Sequence, residues 1–204
     1  MLALAIVTII TLTTTNLQAS IVVDLPLPEL VQNADIIAHV KVLTTESIWK
    51  NPDNPQRIVT VVTAKILNPL KNTPDNANLT FNTLGGKIGD IIQTVQGEAN
   101  FKPGDEAVVF LEKTHDALIL LGMSTGKYEV LKENNQKIAR RASKNIKTVR
   151  LKKDPTHDMH IPNRPEDIEK QPGQNPDSIP LQQFLDEISA ITLSSQQTLL
   201  PPKK

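Results

Sequence analysis

The stretch that most limits what this chain can fold into is Phe101 to Lys113, FKPGDEAVVFLEK. Pro103-Gly104 is a strong turn signal, because proline presets φ at the first central position and glycine accepts a positive φ at the second. Directly after it, Ala107 to Leu111 is an unbroken apolar run of strand length. A strand that is apolar on both faces must be covered on both, so it belongs in the middle of a sheet or in the wall of a closed barrel. The remaining strands are expected to pair around it.

Upstream, Arg57 to Leu67 is the clearest β segment, rich in β-branched residues. Asn68-Pro69-Leu70-Lys71 is expected to end it. Ile36 to Val42 opens an earlier strand that runs on toward Trp49. Strand alternation puts Ile36, Ala38, Val40 and Val42 on its buried face and Ile37, His39 and Lys41 on an exposed one. Leu79–Leu84, Ile91–Val95, Ala117–Leu121, Lys127–Leu131 and Lys137–Arg140 read as further short strands separated by turn signals. Seven of the eight glycines lie between Gly85 and Gly126, so tight backbone geometry is concentrated there. Pro26 to Ala34 reads as a short helix with Leu27, Leu30 and Val31 on one face. The expected fold is all-β with minor α content, a small OB-like barrel of five to eight strands.

The chain divides by composition into four parts. Residues 1–20 have the apolar core and small-residue end of a secretory signal peptide, which predicts export to the periplasm or the medium. The core is too short to span a bilayer comfortably, and no later stretch approaches membrane length. Residues 21–142 form the barrel domain. Residues 143–177 read as a basic, then proline-rich linker, because residues 155–202 hold eight of the fifteen prolines and almost no strand pattern. Residues 178–204 hold an amphipathic helix and a tail, with Leu181, Phe184, Leu185 and Ile188 on one helical face. Such a face must be buried, here by docking on the barrel or, alternatively, on a partner.

Composition removes several function classes. There is no cysteine, so a disulfide scaffold, a thiolate metal site and a cysteine nucleophile are excluded. The net charge is zero, so no global field favours nucleic acid or anionic membranes, and with aromatics at 3% stacking platforms for bases or sugar rings are scarce.

The individual chemical candidates are weak. His157 and His160 are spaced for one helical face, but a proline-bounded segment does not preorganise a metal site. His39 and His115 are expected on solvated surface. Gly122-Met123-Ser124-Thr125-Gly126 has G-x-S-x-G spacing, yet a nucleophile elbow needs a helix after the serine and here a strand follows. Gly85-Gly86-x-x-Gly89 lacks the lysine and hydroxyl of a phosphate loop and is better suited to a sharp barrel corner. No catalytic residue, metal or cofactor is assigned. Lys137 to Lys153 contains eight lysines and arginines and no acid. An anionic polysaccharide, lipid headgroup or acidic protein would meet it through Arg140, Arg141, Lys144, Lys147, Arg150, Lys152 and Lys153. The alternative is a solvated edge strand and linker.

Several blocks taken together resemble a group of exported bacterial proteins without an assigned activity. They are Ala34 to Val40, the strand from Arg57 to Leu67, Leu70-Lys71, Thr83 to Gly86, Gly97 to Phe110 and Gly122 to Val130. The likeness covers Leu27 to Arg141, with Asn72 standing where glycine usually follows Leu-Lys. Such domains are similar in outline to OB-like barrels of the netrin-module and metalloproteinase-inhibitor type. Those inhibitors act through an N-terminal cysteine, which this chain lacks, so their mechanism is not carried over. The resemblance implies an exported β-barrel binding module. The expected function is non-enzymatic binding of a protein partner in the envelope or the secreted fraction. A hydrolase with an unrecognised site and an assembly factor acting through its C-terminal helix are the alternatives.

Overall fold

A computed structural model describes residues 22–23, 25–142, 148–149 and 178–198. The signal-peptide, most of the linker, His157, His160, Lys144, Lys147, Arg150, Lys152 and Lys153 lie outside these residues. The elements in chain order are β1 (Val22–Val23), α1 (Leu27–Asn33), β2 (Ile36–Trp49), β3 (Ile58–Lys71), β4 (Asn78–Leu84), β5 (Gly86–Ile88) and β6 (Ile91–Gln93). They continue with β7 (Glu106–Lys113), β8 (Leu118–Leu120), a 3-10 turn (Met123–Gly126), β9 (Lys127–Glu133), β10 (Gln136–Arg141), β11 (Thr148–Val149), β12 (Ile179–Pro180) and α2 (Leu181–Thr198).

Five strands close a small OB-like barrel in the order β2-β3-β4-β8-β7 and back to β2. All contacts in this ring are antiparallel except β4 with β8, which run parallel. The apolar run after Pro103-Gly104 is β7, and it is buried on both faces as its composition requires. Ala107, Val109 and Leu111 point into the barrel with Ile36, Ala38, Val40, Val62, Phe81 and Leu120. Val108 and Phe110 point the other way, beneath the helices.

The sheet forks along β7. Its second half pairs with β8 and closes the barrel, whereas its first half pairs with β9 through Ala107↔Glu129, Val108↔Tyr128 and Val109↔Lys127. The 3-10 turn sits in the fork, where the Leu121 amide donates to the Phe110 carbonyl at 2.9 Å. Gly126 lies so close there that a Cβ would come within 2.5 Å of the Leu121 oxygen and 3.0 Å of the Phe110 oxygen. No residue with a side chain fits without moving backbone. Past β9, strands β10 and β12 extend the sheet beyond the barrel.

The helices cover the outer face of this sheet. Leu30 and Val31 of α1, Ala34 directly after it, and Leu181, Phe184, Leu185 and Ile188 of α2 bury against Ile37, Val108, Phe110, Tyr128, Val130 and Ala139. Tyr128 and Phe184 stack with ring centroids 4.4 Å apart. The C-terminal amphipathic helix therefore docks on the β domain.

Two strand expectations are corrected. The face of β2 that carries Ile37 and His39 is buried, because the helices make a second core over it; alternation along one strand does not reveal that cover. And Asn68-Pro69-Leu70-Lys71 does not end β3, which runs through Lys71 with register shifts that skip Leu67 and Leu70. Such bulges let a proline sit within a paired strand, Pro69 facing Ala38. The short strand expected over Ile91–Val95 forms as β6, but it pairs with β5 in a separate hairpin outside the barrel sheet.

Candidate functional site

The site is built from the turn that precedes β7. Proline and glycine fold Lys102 to Asp105 back on itself. The Asp105 amide donates to the Lys102 carbonyl at 3.0 Å, and the Lys102 amide donates to Asp105 Oδ2 at 2.9 Å. Two further bonds, from the Val42 amide to the Asp105 carbonyl and from the Gly104 amide to the Val42 carbonyl, pin the turn to β2. This fixes the loop before it, and Ala99 and Phe101 complete the barrel core on the side that the fork leaves open. The Phe101 ring meets Phe81 edge-on, with centroids 5.2 Å apart.

Across from this loop stands Lys127, the first residue of β9. Its pairing with Val109 aims it at the inner side of the fork. The side chain is only 5% exposed. Its ammonium donates to the Asn100 carbonyl at 2.6 Å, contacts Glu129 Oε1 at 3.3 Å and lies 4.4 Å from the centre of the Phe101 ring. An ammonium has three protons, and a carbonyl, a carboxylate and a ring face account for them. Burial of the cation is tolerable because it is paired in this way.

Loop and strand together border an open cleft of about 510 Å³, lined by Asn100, Phe101, Lys102, Asp105, Lys127 and Glu129. Its charged groups are two lysines and two carboxylates. Lys127 is held from several directions, whereas Lys102 is exposed and Glu129 is partly open to solvent. The cleft thus has a fixed cation in its floor and adjustable groups of both signs at its rim. Among the described residues, no three of His, Asp and Glu are grouped to hold a metal ion.

Of the basic residues singled out from sequence, two lie within the described part, and they project from opposite faces of β10. Arg140 stands across from Glu129, on the cleft side, with Nη1 3.7 Å from Glu133 Oε1. Arg141 serves the helical side: its Nε donates to the Tyr128 hydroxyl at 3.1 Å, its Nη2 to the Leu25 carbonyl, and its guanidinium lies over the Tyr128 ring. Ser124 is buried on the 3-10 turn and followed by β9, a strand, as its context predicted. Its hydroxyl has no hydrogen-bond partner among the described residues.

His115 is exposed, as expected. His39 is not: it is buried, with Nε2 2.8 Å from Glu106 Oε1, and Lys137 Nζ reaches the same carboxylate. Burial under the helical side overturns the expectation that this histidine is solvated. Sequence reasoning missed both Lys127 and this cluster. For Lys127 the available signal was a lysine directly after a crowded glycine, on a strand whose alternation places it away from Tyr128 and Val130.

Fold and site define an OB-like β-barrel with a helical cover on one side and a charged cleft at the fork of its sheet. No protein-family model matches the chain, and no curated protein or solved structure matches it.

Proposed function

We propose that the protein is an exported, non-enzymatic binding module that meets a protein partner in the envelope or the secreted fraction. The observation that carries this reading is the cleft, whose floor is ordered before any ligand arrives. Asn100, Phe101 and Lys127 are held by one another, so binding there would not have to freeze the rotamer-rich lysine. The two walls come from Gly97–Phe110 and Gly122–Val130, the blocks on which the likeness to exported barrel proteins chiefly rests. Barrels of this outline bind ligands through strand faces and adjacent loops.

A second reading, an anionic polysaccharide or lipid headgroup at the basic segment, is favoured by the position of Arg140. That residue opens the segment and stands beside Glu129 at the cleft.

The test is site-specific photo-cross-linking in envelope and secreted fractions. One probe replaces Lys102 at the cleft rim and another replaces Asp53 in the loop between β2 and β3. The expected result is one protein captured from position 102, not from position 53, and lost when Glu129→Lys reverses the charge at the cleft. Equal capture from both positions, or capture that survives the reversal, would refute the cleft as the working surface. Capture of anionic glycan or lipid through Arg140 would replace the protein partner with the second reading.

A further inference from the structure

We propose that His39, Glu106 and Lys137 form a proton-driven latch that ties strand β10, outside the barrel ring, to the barrel at neutral pH and releases it in acid. The three side chains come from β2, β7 and β10. In the sheet order β10-β9-β7-β2 they bridge across β9 on the helix-covered face. His39 Nε2 is 2.8 Å from Glu106 Oε1. Lys137 Nζ is 2.7 Å from that same oxygen and 3.0 Å from Oε2. An ionised carboxylate only accepts, so Nε2 carries the proton of the neutral ring.

The latch depends on unequal exposure. The His39 side chain is 8% exposed, Glu106 19% and Lys137 53%. When Nδ1 of His39 takes a second proton, the imidazolium and Lys137 become like charges competing for Oε1. The imidazolium is walled in. The ammonium can return to water at little cost, so Lys137 is the group that leaves. Its departure removes the tie between β10 and β7. β10 also carries β12 and packs against α2, so the anchorage of the helical cover is weakened with it.

Burial, more than the surrounding charge, makes the second proton costly. Lys41, on the same strand face as His39, is directly across from Glu106, and Lys132 on β9 is across from Lys137. Glu29 of α1 and Asp186 and Glu187 of α2, acids on the helices that pack over this face, are exposed. Of these cations, Lys137 is the one that the Glu106 carboxylate holds in contact. Burial pushes the His39 pKa below 6.5, Glu106 opposes this through its hydrogen bond and charge, and Lys137 adds to the lowering. For Glu106, burial acts upward, but the bonds and charges of Lys137 and His39 prevail and hold it below 4.5. Lys137 and His39 thus favour the ionised form of Glu106. A histidine depressed in the closed latch favours closure fully above its value in the opened latch, and that preference is lost as pH falls toward the closed-state value.

Hydrogen exchange of the full chain tests this at about pH 7.5 and about pH 5.5, either side of the ordinary histidine value, with intrinsic rates corrected. Amides of 136–141 should lose about fivefold in protection at the lower pH, the worth of one partly exposed ion pair. Residues 58–64 in the barrel wall should be unchanged. His39→Gln should abolish the pH difference. Should that variant fold poorly, Lys137→Met gives an independent reading by NMR: the His39 ring should titrate at higher pH, because a repelling cation is gone and Glu106 is freed for it. Equal wild-type protection at both values, loss spread evenly over 58–64, or an unmoved His39 titration in Lys137→Met would overturn the proposal.

Discussion

Lys71→Met should destabilise the protein by about 2–3 kcal/mol, through the end of a helix that is distant from it in sequence. Helix α1 finishes at Asn33 with no basic residue in its last turn. Lys71, the last residue of β3, supplies the missing cation. Its Nζ donates to the carbonyls of Val31 at 2.7 Å, Gln32 at 3.0 Å and Ala34 at 2.7 Å. These are acceptors that a helix C-terminus leaves without intrahelical partners. Hydrogen bonds to charged groups are worth about 1.5–3 kcal/mol each, and the helix dipole adds about 0.5 kcal/mol. The sum is reduced on two counts. Burial lowers the lysine pKa from 10.5 against the pull of Asp35, so part of the gain offsets desolvation. Carbonyls at an open helix end also regain water once the lysine is gone. Methionine keeps the aliphatic stem, so packing loss is small. Urea unfolding followed by the fluorescence of Trp49, the one tryptophan, measures the difference. Exposed Lys65→Met is the control and should change stability by less than about 0.5 kcal/mol. A Lys71→Met loss no larger than that of the control would refute the capping argument.

Phe184→Ala should cost about 3–5 kcal/mol in the same assay, since its ring is fully buried between α2 and the sheet; a smaller loss, with the barrel intact, would mean α2 contributes little to stability. Glu98 is buried enough that desolvation raises its pKa above 4.5, although the Leu84 and Ala99 amides donate to it. A raised carboxyl contributes stability that is full below 4.5 and lost as pH climbs through the folded value. Glu98→Gln should flatten that slope in pH-resolved unfolding curves, and an unchanged slope would contradict the assignment. Gly86→Ala should destabilise by more than about 2 kcal/mol, because a Cβ would lie 2.4 Å from Ser47 Oγ and 2.6 Å from Thr60 Oγ1 at a φ of 144°. Gly89→Ala, with φ of 57° but open space around it, should cost about 1 kcal/mol; equal losses at the two glycines would show that crowding is not the cause.

Local chemistry accounts for the features that were legible before the fold was seen. The Pro103-Gly104 turn and the apolar run after it specify a strand covered on both sides, and β7 is that strand. Periodicity in Leu181, Phe184, Leu185 and Ile188 specifies α2 and the face that it buries. Asn72, found where glycine is usual in the resembling proteins, has a φ of 45° and donates through Nδ2 to the Asp35 carbonyl. Asparagine is the residue type that accepts that backbone best after glycine.

What a residue faces is another matter, because alternation along a strand gives two faces and does not say what covers either. Ile37 and His39 look solvent-facing by period, yet α1 and α2 cover Ile37, and His39 is buried beside Glu106 on the same face. Lys127 reads as one more surface lysine until the fork of β7 places it above Phe101. Lys71 reads as a strand terminator until α1 is brought to it by pairing of β2 with β3. The chain alone determined its elements, its turns and the apolar surface that each must bury, since these depend on residues within a few positions of one another. Tertiary structure alone decided the cleft, the helix cap and the cluster around Glu106, because charge pairing and desolvation act between groups dozens of residues apart in sequence.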